Sequence, residues 1–416
     1  MRTPTAVAIL FVLAAALVAA AFGLGFVGSA GDDLSLSSTW VSETGRDVDA
    51  NHHAPAVDTV DGEPMVFAPV SGRRGTQECG LYAFSANGSR EWSSQVAPAN
   101  CTIHSVADPA TADFDADGEL EVLTATTEQQ AVALDARSGE VERRIELSSY
   151  GYTRPVVADL VGDDTPETIV VDAFGTVSVF RPDGTTVWSK QLETYTWGQP
   201  AVVDADGDGT SELVVGIGGE GALLVFEGDG SLAWRRTTGL PGGVTWMATG
   251  QGDEDPATEI VTGTSGGAVV LVDGTNGAIQ WEHDFGRFAA VHAFGDGDQD
   301  GTTEVYATAR DGTLRAIDAS TGTVEWTTQL TTGEVQMMPP PALGDVDGDG
   351  APDLVAVSND GVVAVVDPAT GDIRAQYERE AAIFTHPTLA DLDGDEENEI
   401  LVMYGDGRVV VLDATT

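Results

Sequence analysis

The feature that most constrains the fold of this chain is an internal repeat of about 46 residues. One copy starts at Pro200, passes through an acidic stretch that ends at Glu212, and continues through an apolar run and a turn to Trp234. A weaker copy, from Pro55 to Trp92, precedes the others and brings the number of units to eight. When the copies are aligned on the acid that closes the acidic stretch, they lie 45 to 49 residues apart, at Glu121, Glu167, Glu212, Glu259, Glu304, Asp353 and Glu399.

Each unit holds four short segments rich in Val, Leu, Ile, Thr and Trp, which Gly and Asp turns separate. No helical periodicity persists, so these segments are expected to be strands. Pairs such as Asn87-Gly88 and Asp183-Gly184 favour tight hairpins, because both residue types tolerate positive φ. Four strands in a period near 45 are typical of a propeller blade. The sequence therefore predicts an all-β, eight-bladed β-propeller over residues 31–416, with no second domain.

The two ends of this repeat region complement each other. The last unit stops at Thr416 without its final strand, whereas a stray Ser38-Thr39-Trp40-Val41 before the first unit matches that strand. We therefore expect the N-terminal strand to complete the last blade and to close the ring, which removes two open sheet edges.

Residues 1–30 are expected to direct the chain out of the cell. After Arg2 no charged residue occurs until Asp32, and 6–27 is an apolar run of 22 residues. At about 1.5 Å per residue this run spans roughly 30 Å, which favours a retained membrane anchor. Gly28-Ser29-Ala30 also fits signal-peptide cleavage before Gly31. Both alternatives place the propeller at the extracellular face of the membrane or in the medium, with membrane contact only through this segment.

The charge balance is the unusual part of the composition. Nineteen Lys and Arg against 67 Asp and Glu give a net charge of −48, and Lys190 is the only lysine. Such a chain would repel nucleic acids and anionic membranes, so neither is expected as a partner. The composition resembles that of proteins from extreme halophiles, where salt shortens the screening length to about 3 Å at 1 M. Acids committed to metal sites account for part of the excess.

Two covalent features are expected near the start of the propeller. Cys79 and Cys101 lie 22 residues apart and would pair in an oxidising compartment, the alternative being two unrelated buried thiols. Asn87 and Asn100 each begin an Asn-x-Ser/Thr glycosylation sequence, and a disulfide at Cys101 would compete with modification of Asn100.

The acidic stretches have the spacing of calcium loops. Calcium takes about six to eight oxygen ligands, and alternate carboxylates on a tight loop converge on one point. A glycine at the sixth position, Gly118 in the first loop, allows the sharp turn. We expect these ions to neutralise and stiffen the turn. The complete pattern Asp-x-Asp-x-Asp-Gly-x-x-Glu/Asp occurs at Asp113/Asp115/Asp117/Glu121, Asp204/Asp206/Asp208/Glu212, Asp296/Asp298/Asp300/Glu304 and Asp345/Asp347/Asp349/Asp353.

Three other units depart from this pattern. Asp391/Asp393/Asp395/Glu399 places Glu396 where the glycine belongs, so this loop is expected to bind calcium more weakly. One further loop has Val161 between Asp159 and Asp163, and another has Gln251 in place of its first Asp, so both are interpreted as degenerate.

The loop motif resembles the FG-GAP and VCBS calcium repeats. The second half of each unit, such as 318–326, resembles the repeat of pyrroloquinoline-quinone-type eight-bladed propellers. Together these resemblances cover nearly all the chain after Asp32. They imply the propeller fold but not an activity, because one fold serves many functions. They also imply that a tryptophan packs between blades at Trp92, Trp188, Trp234, Trp281 and Trp326.

A ligand site is expected at the end of the central channel that lies opposite the acidic loops. The residues just before each first strand should surround that opening, where connections from all blades converge. We hypothesise a polar recognition surface for a glycan, a peptide or a partner domain; the alternative is variable connection residues with no shared task. Its members would be Asp108, Arg154, Gln199, Trp246, His292 and His386, with His52, His53, His104 and Trp197 close to the same level.

Three function classes remain in competition. The leading interpretation is a non-catalytic binding or scaffold module, similar in shape to the propeller of bacterial outer-membrane assembly. A polysaccharide lyase could use Arg154 to neutralise a uronate and His292 or His386 as a base, although the acidic surroundings repel polyuronates. A quinoprotein dehydrogenase is the third class, but this chain lacks the adjacent cysteine pair of those enzymes.

Overall fold

The structure, a computed structural model, describes residues 34–49, 51–192 and 194–416. The expected signal peptide or anchor at 1–30 lies outside these residues. Within them every regular element is a strand. A search of the same residues for a helix that could cross a membrane finds none.

The strands form eight sheets, each of four strands that pair antiparallel in sequence order. Blades 1 to 4 comprise β2 (Ala56–Val60), β3 (Glu63–Val70), β4 (Gly80–Ser85) and β5 (Arg90–Gln95); β6 (Ala110–Ala112), β7 (Glu121–Thr126), β8 (Gln130–Asp135) and β9 (Val141–Glu146); β10 (Val156–Ala158), β11 (Glu167–Val171), β12 (Thr176–Phe180) and β13 (Thr186–Gln191); β14 (Ala201–Val203), β15 (Glu212–Ile217), β16 (Ala222–Phe226) and β17 (Leu232–Arg236). Blades 5 to 8 comprise β18 (Val244–Gly250), β19 (Glu259–Thr264), β20 (Ala268–Val272) and β21 (Ile279–Asp284); β22 (Ala289–Gly295), β23 (Glu304–Ala309), β24 (Thr313–Asp318) and β25 (Val324–Gln329); β26 (Ala342–Gly344), β27 (Asp353–Val357), β28 (Val362–Val366) and β29 (Ile373–Glu378); and β30 (Thr388–Ala390), β31 (Glu399–Met403) and β32 (Val409–Thr415) with β1 (Ser35–Val41).

The sheets are arranged as a closed ring, which confirms the predicted eight-bladed propeller. The first strand of each blade contacts the first strand of the next, and β30 contacts β2, which completes the circle. The ring is also closed within blade 8, because β1 pairs with β32, with Ser35 opposite Thr415 and Val41 opposite Val410. The N-terminal strand therefore supplies the outer edge of the last blade, as its sequence indicates.

The core lies between neighbouring blades. The middle strands, such as β15 and β16, are buried along their whole length, whereas outer strands such as β25 alternate between exposed and half-buried residues. The indole N–H of Trp234 donates a hydrogen bond across the blade boundary to the carbonyl oxygen of Gly274, at 2.6 Å. Five other outer-strand tryptophans make the same cross-blade bond, namely Trp40, Trp92, Trp188, Trp281 and Trp326.

A glycine faces each of these tryptophans. Gly277 has φ of +66°, and a Cβ at this position would lie 2.7 Å from the ring of Trp234. Glycine is therefore required at this turn for two reasons, the backbone conformation and the close approach of the indole.

Candidate functional site

Two faces of the ring carry different chemistry. We call the face that bears the turns from the first to the second strand of each blade the loop face, and the opposite face, where the first strands begin, the mouth face. The acidic stretches form the loop face in blades 2 to 8. Blade 1 has only a tight turn there, at Asp61 and Gly62, both with positive φ. The predicted calcium loops and the predicted recognition surface therefore lie on opposite faces.

The acidic loops share one set of hydrogen bonds. In blade 2, Asp113 accepts bonds from the backbone N–H groups of Asp117 at 3.0 Å and Gly118 at 3.1 Å. Glu121, the closing acid, accepts a bond from the N–H of Phe114 at 3.0 Å. A bond equivalent to the last one occurs in the other six loops, to Glu167, Glu212, Glu259, Glu304, Asp353 and Glu399.

The closing acids lie deep in the fold. Glu121 is fully buried, and burial raises its pKa to about 7. Burial likewise raises the pKa of Glu399 to about 7 and that of Asp353 to about 6. A buried carboxylate of this kind is costly as an anion unless a positive charge accompanies it.

The folded loops bring most of their acids close enough to share a metal ion. Ligand atoms within 4.8 Å of one another occur in the sets Asp113/Asp115/Glu121, Asp204/Asp206/Glu212, Asp296/Asp298/Asp300/Glu304 and Asp345/Asp347/Asp353. The loop with Gln251, interpreted as degenerate, also converges, through Asp253, Asp255 and Glu259.

The third acid of the motif makes a hydrogen bond within its own loop. In blades 2, 4 and 7 these acids are Asp117, Asp208 and Asp349, which lie outside the converging sets named above and stay predicted ligands. Each is exposed, and its carboxylate accepts the backbone N–H of the residue two positions later, at 2.8 to 2.9 Å. An aspartate readily closes such a turn with its own backbone, which engages one of its two carboxylate oxygens.

Asp395, the third acid of blade 8, makes the same kind of hydrogen bond. It is exposed, and its carboxylate accepts the N–H of Glu397 at 3.0 Å, as the third acids of blades 2, 4 and 7 do with their own loops. Asp300 makes the equivalent bond to Thr302 in blade 6 and yet remains within its converging set. The hydrogen bond of the third acid is therefore compatible with a place among the converging acids, as Asp300 shows.

Two loops contain a guanidinium group beside their acids. Arg374 on β29 bonds to Asp353 at 2.6 Å and to Asp347, and both carboxylates are 2% exposed. Arg181, which follows β12, lies 2.7 Å from Asp163 and 3.0 Å from Glu167 in blade 3. Sequence analysis did not identify either arginine.

The mouth face opens into a cavity of about 850 Å³ that residues from all eight blades line. Its wall includes every residue that the sequence placed in the recognition surface: Asp108, Arg154, Gln199, Trp246, His292 and His386. These side chains come from six different blades, because each lies at or just before a first strand.

A hydrogen-bond network stiffens one side of this cavity. Asp108, which is 7% exposed, accepts a bond from His53 Nδ1 at 2.9 Å and another from the N–H of Ala54 at 2.9 Å. Its second oxygen accepts a bond from Gln199 Nε2 at 2.7 Å, and Gln199 Oε1 accepts the N–H of Arg154 at 2.5 Å. Four blades are thereby connected, and the position of Arg154 is fixed through its backbone.

A histidine pair lies on the other side. The rings of His292 and His386 stack with centroids 4.3 Å apart. His386 Nδ1 lies 3.0 Å from the carbonyl oxygen of Pro387, which can only accept, so this nitrogen carries the proton. The surrounding cavity wall lowers the pKa of His292 by desolvation, and repulsion from His386 and then from Arg154 acts in the same direction. Desolvation also lowers the pKa of His386.

A continuous row of aromatic rings follows the mouth face from blade 8 to blade 4. Centroid distances of 4.2 to 5.8 Å join successive rings along the row. Except for Phe384, these rings are partly exposed. His53 packs beside the row, with its ring 5.5 Å from that of His104 and 5.3 Å from that of Tyr152. The row consists of Phe384, His52, His104, Tyr152, Tyr195 and Trp197.

Sequence analysis identified the histidines and Trp197 of this row but not Tyr152, Tyr195 or Phe384. Each of these three precedes a first strand by four to six residues, so their shared position in the repeat was a usable signal.

The covalent features lie at the edge of blade 1. Cys79 and Cys101 form a disulfide, and both residues are fully buried. Asn87 and Asn100 are exposed, and Asn100 donates a hydrogen bond to Glu128 at 3.2 Å.

The fold recurs among solved structures with little sequence identity. BamB from Moraxella catarrhalis has a TM-score of 0.62 at 18% identity, and the match covers 91% of this chain and 97% of that one. A quinohemoprotein alcohol dehydrogenase from Pseudomonas putida HK5 has a TM-score of 0.63 at 12% identity, with coverage of 91% and 76%. BBS1N, solved in complex with ARL6DN, has a TM-score of 0.51 at 15% identity, with coverage of 73% and 90%. At these identities the likeness shows the fold alone.

Comparison at the sequence level is more specific. A search of curated proteins found no match. The family profile described as outer membrane protein assembly factor BamB matches residues 77–243 and 265–416. Since these two segments make up about three quarters of the sequence and carry the blade repeat, the chain belongs to the family described as outer membrane protein assembly factor BamB.

Proposed function

We propose that this chain is a non-catalytic, calcium-stabilised propeller that binds a protein or glycan ligand at its mouth face, outside the cell. The observation that carries this proposal is the convergence of Asp108, Arg154, Gln199, Trp246, His292 and His386 from six blades around one cavity. A network that positions charged and aromatic groups on a rigid ring is the arrangement that recognition sites commonly have.

The chemistry of the mouth face supports binding more than catalysis. Partly exposed rings such as Tyr152, Tyr195 and Trp197 offer flat apolar surfaces with polar edges, which suit both sugars and peptide side chains. Arg154 is exposed at the cavity wall, in a chain with few basic groups, and would attract an acidic group of the ligand.

The family description and one of the structural neighbours support a scaffold role. The family description names an assembly factor, and the BBS1N neighbour was solved with a bound protein. We infer the same class of function here, namely a rigid ring that holds another macromolecule.

The proposal also includes bound calcium, a saline environment and export from the cell. The converging carboxylates of the loop face are the oxygen donors that calcium prefers, and the net charge of −48 fits a protein that works in concentrated salt. Export through residues 1–30 would place the disulfide Cys79–Cys101 in an oxidising environment.

The recognition site can be tested by changing three residues that do not contact the loop face. Arg154→Ala, Trp246→Ala and His386→Ala would be combined in the chain 31–416, and binding to cell-surface proteins and to a glycan panel would be measured in high salt. We expect loss of every specific ligand that the wild type retains. A control that combines Arg137→Ala and Leu232→Ala, at exposed positions away from the cavity, should bind normally. Unchanged binding by the triple variant would refute the assignment.

A polysaccharide lyase is the second candidate, because Arg154 lies in the cavity with the neutral His292 and His386. This set offers a cation for a uronate and a base for proton abstraction. Incubation with polyuronates and detection of unsaturated product by ultraviolet absorbance would distinguish the two functions. Product formation that His386→Ala abolishes would replace the binding proposal.

A further inference from the structure

The acidic loops differ in what faces their carboxylates. In blades 5 and 7 one residue of the fourth strand reaches the acidic loop of its own blade. It lies just before the position of the inter-blade tryptophan, which is Trp281 in blade 5 and is replaced by Ala375 in blade 7. In blade 7 this residue is Arg374, whose guanidinium bonds to Asp347 and Asp353. In blade 5 it is Gln280, whose amide donates to Asp253 at 2.9 Å. The same position therefore determines whether a loop receives a positive charge, a neutral donor or neither.

Arg374 places one positive charge between two of the acids that the motif assigns to an ion. Its two terminal nitrogens reach one carboxylate each, and both carboxylates are almost completely buried. The fixed fork of a guanidinium matches paired carboxylates well. The blade 7 loop is thus complete by its motif, yet two of its buried carboxylates already share a positive charge from the chain itself.

Blade 3 shows the same device in another form. Arg181 follows the end of β12 and lies beside Asp163 and Glu167, two of the three motif acids that remain in the degenerate loop, in which Val161 occupies the second position. Glu167 Oε1 makes no hydrogen bond among the described residues, but Arg181 lies 3.0 Å from it, so a guanidinium accompanies the acids of this loop too.

Blade 2 presents the opposite case. Its residue at the position of Arg374 is Glu142, and repulsion from Asp115 adds to burial in raising the pKa of Glu142. Glu121 is fully buried, and its Oε1 has no hydrogen-bond partner among the described residues. Asp115 Oδ1 is likewise buried and unpartnered in the part of the chain that the structure describes. An external cation is therefore required at this loop if the acids are to be ionised.

Blade 6 repeats the pattern of blade 2. Glu325 faces its loop, and Asp296 Oδ1 is buried without a hydrogen-bond partner among the described residues. In blade 4 the corresponding residue is Ala233, so the acids there also lack an internal counter-charge at this position.

We infer that Arg374 takes the place of a calcium ion: the loops of blades 2, 4 and 6 bind the ion, whereas the loop of blade 7 is closed by its own guanidinium. This inference rests on the calcium part of the proposed function and assigns the ions to particular loops. A calcium ion entering blade 7 would have to displace Arg374 or lie beside its positive charge, and both are unfavourable.

The inference is tested by counting calcium ions bound to the chain 31–416 in high salt, by equilibrium dialysis with metal analysis. Asp204→Asn in blade 4 should lose one ion, whereas Asp345→Asn in blade 7 should lose none. Arg374→Met keeps the length of the side chain and removes its charge, so it should gain one ion. Arg374→Lys retains the charge and should gain none, and Arg137→Met controls for net charge at an exposed arginine.

The outcomes separate the two proposals. Loss of an ion in Asp345→Asn, or no gain in Arg374→Met while the wild type binds calcium, overturns the role of Arg374 and leaves the calcium proposal intact. No calcium on the wild type or on any variant refutes both. If Arg374→Met unfolds in the absence of calcium, its refolding by calcium supports the inference, and the Asp345→Asn count decides independently.

Discussion

His53 Nδ1 and Asp108 Oδ1 lie 2.9 Å apart, although 55 residues separate them in the chain. Burial alone would raise the pKa of Asp108, but the hydrogen bond and the charge of His53 outweigh it, so the pKa lies below the usual range. Asp108 therefore remains an anion at working pH and holds His53, Ala54 and Gln199 at the mouth face.

Asp108→Asn should destabilise the propeller by about 3 kcal/mol, because a buried charged acceptor with three donors is replaced by a group that also presents N–H. Chemical denaturation at pH 7 measures this loss. The exposed Asp47→Asn is the control and should change stability by less than about 0.5 kcal/mol.

The dependence of the unfolding free energy on pH in acid provides a second check on Asp108. Since its folded pKa is depressed, its contribution is present above the unfolded value of about 3.9 and is lost as the pH falls through the folded pKa. The difference between wild type and Asp108→Asn should therefore shrink in strong acid. A constant difference down to pH 2 would contradict this assignment.

His104 should make the protein sensitive to mild acid. Burial, followed by repulsion from His53 and His52, lowers its pKa to about 2. The folded state then binds fewer protons than the unfolded state below about pH 6.5, and stability falls by at most about 1.4 kcal/mol per pH unit. His104→Phe and His104→Gln both remove the titration, so both should flatten the profile between pH 6.5 and 4.5. If the stability of both variants fell with pH as steeply as that of the wild type, another titratable group would be responsible for the loss in acid.

Gly277→Ala tests the contact between the turn glycine and the tryptophan of the preceding blade. Positive φ costs about 1–2 kcal/mol for alanine, and the clash with Trp234 adds about 1–3 kcal/mol. Gly286→Ala is the matched control, because Gly286 has φ of +93° but a Cβ there would meet no atom within 4 Å. Thermal or chemical unfolding should show a larger loss of stability for Gly277→Ala than for Gly286→Ala. Equal losses would mean that glycine is required at position 277 only for its backbone conformation.

The disulfide Cys79–Cys101 should stabilise the first two blades. It closes a loop of 22 residues, for which the chain-entropy model gives about 3 kcal/mol. The double variant Cys79→Ala/Cys101→Ala should unfold at a lower denaturant concentration than the oxidised wild type. In a reducing agent that breaks the bond, the two proteins should converge. A persistent difference would assign the effect to packing of the two buried side chains.

The repeat alone was sufficient to predict the architecture. A period near 46 with four strand-like segments defines a blade, and the copies can bury their apolar faces only against one another. The closure was also predictable, because the last unit lacks a strand that Ser38 to Val41 supplies. The register of the mouth residues followed from their equal distance before each first strand, which explains why all six line one cavity.

The acidic loops contain contacts that the motif does not specify. Its spacing predicts a ligand at every alternate acid, and the third acids Asp117, Asp208, Asp349 and Asp395 also accept backbone N–H groups of their own loops. A short side chain next to free N–H groups can satisfy the turn as well as an ion, and spacing does not distinguish these two uses.

What the sequence by itself determined is therefore the place of each residue within its blade. The tertiary structure decided which side chains meet across blades and which acids are already paired. Arg374 and Asp347 lie 27 residues apart, and Gln199 reaches Asp108 over 91 residues. Neither contact follows from the repeat, because a repeat specifies backbone position, whereas these pairings depend on the reach of one long side chain into a particular neighbouring environment. The motif thus predicted equal loops in blades 4 and 7, and only the folded chain distinguishes the loop with a guanidinium from the loop without one.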